Sequence, residues 1–233
     1  MTATMIGRTS LDAHQNSPAV PIKFSALLRE CTTASHRIAE RSGIVGDILT
    51  GKATPIGYAL FLRNLLPAYQ ALEAGSRADL QLAGVDTLLP PELFRAALIE
   101  CDLVSIVGGD WHRSLPLLAN GARYADRITR ARAADPALLL AHAYVRYLGD
   151  LSGGQIMMRL LARTLELGVH QLSFYAFPAI ANLASYKSGY RHAIDALELD
   201  PLRQAAIAGE AVAAFEINIA LSLEVQAAAS NIA

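Results

Sequence analysis

His142-Ala-Tyr-Val-Arg-Tyr-Leu-Gly149-Asp150-Leu-Ser-Gly153-Gly154-Gln155 decides how this chain is read. Asp135-Pro136 upstream supplies an N-cap and a first helical residue, and Gly168 downstream supplies a stop, so the pattern predicts one long helix ending near Leu167. Three glycines sit inside that pattern, and each costs a helix about 1 kcal/mol relative to alanine. A helix that keeps them needs a kink, or a surface where another group comes close to bare backbone. Gly149 and Gly153 are four residues apart and share a face. Arg146 and Asp150 stand within about 100° of it. Two readings follow. A flat ligand lies against the glycines with an acid and a base beside it, or the glycines serve close helix packing and the two charges form an ordinary surface pair.

Helical punctuation extends outward in both directions. Thr54-Pro55 opens a helix to about residue 74, closed by Gly75. Pro90-Pro91 starts a shorter one, Ser114 to Pro116 opens another toward Arg130, and Asp200-Pro201 starts a last helix that runs to the C-terminus. Residues 171–200 read as a loop and a helix after Pro178. Alanine and leucine dominate a chain of 233 residues that is 53% hydrophobic and only 6% aromatic, and runs alternating with period two are scarce. The fold class is therefore all-α, with a single multi-helical domain over residues 23–233 and a flexible, polar N-terminal tail over 1–22. A net charge of −1 excludes a nucleic-acid footprint. The longest uncharged run, Gln171 to Tyr186, is too short and too polar for a membrane span, and no hydrophobic C-terminal anchor is expected. Two cysteines, Cys31 and Cys101, make no disulfide framework, which fits a reducing, cytoplasmic compartment.

The first helix carries a histidine away from its apolar stripe. Phe24, Leu27, Leu28, Cys31, Ala34, Ser35 and Ile38 recur at helical spacing, and Gly43 follows the end. With the stripe centred near Phe24 and Cys31, His36 lies about 120° away, sharing a flank with Arg29 and Glu40. A solvated face with a His–Glu contact explains this pattern. So does a metal ligand whose second nitrogen is oriented by a carboxylate one turn on, an arrangement that suits haem iron.

Residues 141–155, AHAYVRYLGDLSGGQ, closely resemble the signature of the haem oxygenase family. LLRECTTASHRIAE (27–40) is similar to that family's proximal helix, LLPAYQALE (65–73) to its second helix, FYAFPAIA and YKSGYR (174–181 and 186–191) to the segment after its distal helix, and AFEINIALSLEVQ (214–226) to its closing helix. The resemblance implies haem b, as substrate and cofactor, held between a proximal and a kinked distal helix. It makes His36 the iron ligand and Glu40 the acid bonded to it. Gly149, Gly153 and Gly154 become the glycines that let the distal helix pass over the ring, and Phe215 a wall of the pocket. Asp150 is implied as the carboxylate of a distal network that stabilises bound dioxygen and delivers protons, with Arg146, Tyr69, Tyr124 and Asn218 as its other members. Arg29, Lys187 and Arg191 are implied to meet the ring's propionates. Thr33 stands where some relatives have lysine, which weakens that clamp. The products implied are biliverdin, ferrous iron and carbon monoxide. No flavin or nicotinamide fingerprint is visible, so electrons are expected from a ferredoxin or a flavoprotein reductase.

A haem carrier or sensor on the same fold is the alternative, although storage needs no proton relay. A di-iron site on a related fold is disfavoured, because no Glu-x-x-His occurs in the chain. Tyr144 and Tyr147 are read as packing residues, and His14, His112, His142, His170 and His192 receive no role.

Overall fold

The structure is a computed structural model that describes residues 22–75 and 77–232. The tail expected over residues 1–22 therefore lies outside the described residues, but for Ile22. The described residues form eleven α-helices and no strand: α1 (Phe24–Ala39), α2 (Gly43–Thr50), α3 (Pro55–Glu73), α4 (Arg77–Leu82), α5 (Ala96–Val107), α6 (Trp111–Ser114), α7 (Ala119–Ala134), α8 (Leu139–Ser152), α9 (Gly154–Thr164), α10 (Leu183–Asp195) and α11 (Pro201–Ala229).

Several helix starts obey local chemistry. Thr54 caps α3 by accepting from Gly57 N at 3.1 Å, and Asp200 caps α11 by accepting from Leu202 N and Arg203 N at 2.9 Å each. Asp135 accepts from Ala137 N at 2.9 Å, so the chain turns at the expected place before α8. Two other starts take their caps from distant chain. Ser114 to Pro116 opens no long helix. α7 begins at Ala119, and its exposed N–H groups are satisfied by Asn64 Oδ1 (from Leu118 N, 2.7 Å) and by the Glu224 carboxylate (from Asn120 N, 2.8 Å). Pro90-Pro91 gives only a single 3₁₀ turn, and α5 starts at Ala96, where Glu73 of α3 accepts from Arg95 N at 2.5 Å and Ala96 N at 3.2 Å.

Gly43 does not merely end the first helix. It begins α2 at φ +56°, and a Cβ there would stand 2.2 Å from the backbone of Ser222 in α11. Only glycine allows both that angle and that approach. The Ser222 hydroxyl completes the junction, donating to Ser42 O at 2.8 Å and accepting from Val45 N at 3.1 Å.

α3 lies at the centre, with Tyr58, Leu62, Leu65 and Tyr69 fully buried. α11 packs against α1, α2, α3, α7 and α8. Its length and composition suffice to cross a membrane. In this fold it is a core helix, with Ile207, Ala211, Ala214, Leu221 and Val225 buried. Between α7, α8 and α11, the buried His142 sits with Nε2 2.9 Å from Glu210 Oε1, and Arg127 reaches both Glu210 oxygens at 2.7 Å. Burial alone would raise the Glu210 carboxyl, but bonds from His142 and Arg127 hold it at about 2.

In α1 the stripe is rotated from its expected position. Phe24, Leu28 and Thr32 are buried while Cys31 is exposed. Thr32 tolerates this because its hydroxyl donates to Leu28 O at 2.7 Å within the helix.

Candidate active site

α1 and α8 form opposite walls of an apolar cavity of about 380 Å³, which continues into an outer chamber of about 430 Å³. His36, Glu40, Val145, Gly149, Ser152 and Phe215 line both. The sizes fall in the usual range for small-molecule sites.

The α8 wall is densely bonded. Asp150 is buried, and its Oδ2 accepts a short hydrogen bond from the Tyr69 hydroxyl. Arg146 donates from Nε to the Tyr69 oxygen at 3.0 Å and from Nη1 to Asn218 Oδ1 at 2.7 Å, and its Nη2 lies 3.5 Å from Asp150 Oδ1. Asn218 is fixed in turn by donating to Ala214 O at 2.7 Å. The buried Tyr124 faces this group without an ordinary hydrogen bond of its own. Spacing explains the assembly: residues 146 and 150 are one turn apart on α8 and meet Tyr69 of α3 and Asn218 of α11. Burial raises the Asp150 carboxyl above its usual range, and Arg146 and Tyr69 offset only part of the rise. Burial likewise pushes the Tyr69 phenol well up. For Arg146, burial works against the charge, but Tyr69 and Asp150 overcome it and hold the guanidinium protonated. The result is a carboxyl group disposed to carry a proton, fixed beside a permanent cation.

The glycines divide between the two readings offered by the sequence. A Cβ at Gly149 meets nothing within 4 Å, and at Gly153 only the Gly149 carbonyl at 3.5 Å, so both present open backbone to the cavity. At Gly154 a Cβ would stand 2.8 Å from the Tyr175 ring, which is close packing. The expected long helix is interrupted here, with α8 ending at Ser152 and α9 beginning at Gly154. Tyr175 lines the cavity because its loop is tied from three sides. Asp102 accepts from Ser173 N at 2.8 Å and Phe174 N at 2.9 Å, Gln155 donates to Tyr175 O at 2.8 Å, and the Arg95 guanidinium donates to Ala176 O.

The α1 wall is sparse. His36 Nδ1 lies 3.7 Å from Glu40 Oε1, an ion-pair distance longer than a hydrogen bond, and the two side chains are 53% and 56% exposed. Phe215 meets the His36 ring edge-on at 5.8 Å. With Nδ1 turned to Glu40, Nε2 is the nitrogen free for a ligand. Among the described residues no group of three or more His, Cys, Asp or Glu side chains forms a metal site. A lone histidine suits a metal that arrives with ligands of its own.

Arg29 and Arg191 line the outer chamber, whereas Lys187 lines neither space, although its carbonyl accepts from Arg191 Nη1 at 3.4 Å. Thr33 lines the chamber with its hydroxyl committed to Arg29 O at 2.6 Å. Tyr147 is core, as expected, but Tyr144 lines the outer chamber. Sequence reasoning missed Arg37 in that chamber, and Val45, Leu49, Met157 and Tyr175 in the inner cavity. Arg37 directly follows His36 on α1, which was a usable signal. The apolar four look like any core residue until the folded chain brings them together.

A family model described as Heme oxygenase matches residues 22–224. The chain is 34% identical over 211 residues to Heme oxygenase 1 of Homo sapiens, covering 89% of this chain and 73% of that protein. It is 33% identical over 205 residues to Heme oxygenase 1 of Synechocystis sp., covering 88% and 85%. Among solved structures, it is similar to heme oxygenase-1 from that cyanobacterium in complex with heme, with a TM-score of 0.82, 32% identity, and coverage of 90% of this chain and 95% of that one. Heme oxygenase from Leptospira interrogans gives a TM-score of 0.78 at 31% identity, covering 87% and 100%.

Proposed function

The chain belongs to the haem oxygenase family and is an oxidoreductase that degrades haem, and from that premise we propose how its residues divide the work. Haem b is the substrate, and His36 holds its iron. Open backbone at Gly149 and Gly153 leaves room for a flat ring against α8. Phe215, Val145 and Met157 supply apolar wall. Bound haem supplies the iron at which dioxygen is activated. Asp150 holds and passes protons at its carboxyl group, which burial favours in the protonated form. Tyr69 and Arg146 fix that carboxyl group, and Asn218 fixes Arg146. The products are biliverdin, ferrous iron and carbon monoxide. Electrons come from a separate ferredoxin or flavoprotein reductase, and the protein works in the cytoplasm without nucleic-acid or membrane partners.

The observation that carries this reading is the pairing, across one cavity, of a histidine with a free nitrogen and an open glycine surface beside a buried carboxyl group held by Tyr69 and Arg146. The test is an absorption spectrum of the purified protein with one equivalent of hemin, followed after a reductant is added in air. A sharp Soret band that bleaches as a broad red band grows in is the expected result. A stable Soret band, even with a ferredoxin and its reductase supplied, would point to a carrier or sensor instead. A spectrum no different from that of free hemin, meaning no binding at all, would break the His36 assignment.

A further inference from the structure

The outer chamber holds more positive charge than its surroundings explain. Arg29, Arg37 and Arg191 all line it, and among the described residues none of the three has an ion-pair partner. The chain as a whole has 20 basic and 21 acidic residues, so this excess is local. Glu40 is the one acid lining the chamber, and His36 engages it. Three unpaired cations around one concave surface repel each other and favour an anionic ligand. Thr33, between the two arginines of α1, has its hydroxyl proton committed to Arg29 O and has no donor to offer. Arg29 and Arg37 are eight residues apart on α1, about 12 Å along its axis, with His36 between them in sequence. Arg191 comes from α10, on another side of the chamber.

Resting on the reading of the site as a haem site, we propose that Arg37 is a specificity-determining residue for the ligand's in-plane orientation. Haem has two carboxylates, and the chamber offers three cations. Arg29 and Arg191 form one anchoring pair. Arg37 draws one carboxylate toward the other end of α1, which turns the ring about the bond from its iron to His36. The balance among the three arginines thus decides which bridging carbon lies toward Asp150, and so which biliverdin isomer is released.

The test compares the 233-residue chain with its Arg37→Gln and Arg37→Lys variants, using hemin and hemin dimethyl ester as probes. Binding to the apoprotein is read by quenching of the single tryptophan, Trp111. Arg37→Gln is expected to weaken hemin binding about three- to fivefold, as fits a partly exposed ion pair, and to leave ester binding unchanged. Arg37→Lys is expected to restore most of the difference. The isomer composition of the biliverdin formed by Arg37→Gln should shift in parallel. A hemin-to-ester affinity ratio in Arg37→Gln equal to that of the parent, or an unchanged isomer composition, overturns the inference and leaves the haem site standing. Failure of the parent protein to bind hemin overturns the site reading itself, and this inference with it.

Discussion

The two walls of the cavity are built by opposite routes. On α8, Asp150 is buried and Arg146 largely so, and both are bonded to residues of α3 and α11 before any ligand arrives. On α1, His36 and Glu40 are more than half exposed and 3.7 Å apart. Folding itself fixes the wall that carries Asp150, because a carboxylate left free in a buried site is costly and poorly aimed. On the proposed reading the wall that holds the metal can stay loose, since a metal–nitrogen bond supplies its own order on binding. The walls should therefore fail differently when altered.

The largest effect is expected on the ordered wall. Asp150→Ala should cut biliverdin formation by about 100-fold or more while hemin still binds, and guaiacol oxidation with peroxide should rise. Single-turnover spectra of the hemin complex check this, and a normal biliverdin yield would remove Asp150 from the chemistry. Next come the paired glycines. Gly154→Ala forces a Cβ against the Tyr175 ring and should lower stability by about 1–3 kcal/mol. Gly149→Ala meets open space and should raise helix stability by up to about 1 kcal/mol while weakening hemin binding. Thermal melts of the apoproteins beside hemin titrations separate the two, and matching behaviour would show that the faces are not distinct. The smallest effect is expected on the loose wall. Glu40→Gln should weaken hemin binding about tenfold, the low end for a residue that orients a metal ligand, without moving the apoprotein melt. A melt lowered as far as that of Gly154→Ala would mean that α1 is as ordered as α8.

The fold class and the polar positions on α1 and α8 (His36, Glu40, Arg146 and Asp150) were legible in the sequence because each has a short-range signature. Asp-Pro and Thr-Pro announce helix starts, and glycines in a helical run announce either exposed backbone or close packing. The resemblance to a known family then joined Tyr69, Asn218 and Asp150, which no local pattern links. What stayed hidden is what depends on distant chain. The starts of α5 and α7 carry no cap of their own, since Glu73, Asn64 and Glu224 provide it. Cys31 and Thr32 exchanged roles in α1 because an internal hydrogen bond makes threonine acceptable in the core. Arg37 went unnoticed because an exposed arginine on a helix has an ordinary explanation until two others are found around the same space.

The borrowed caps have a consequence for the order in which the molecule is made. α7 is synthesised before α11, yet the carboxylate that closes its first turn, Glu224, lies near the end of α11. A nascent chain that has emitted α7 thus holds a helix whose first turn is capped only by Asn64, and the N–H groups of Ala119 and Asn120 find their partner only when α11 docks. α8, with Arg146 and Asp150, must also wait for Asn218 of the same helix. Docking of α11 and assembly of the Arg146–Asn218 side of the cavity become one event, so a fragment that lacks α11 lacks that side of the cavity.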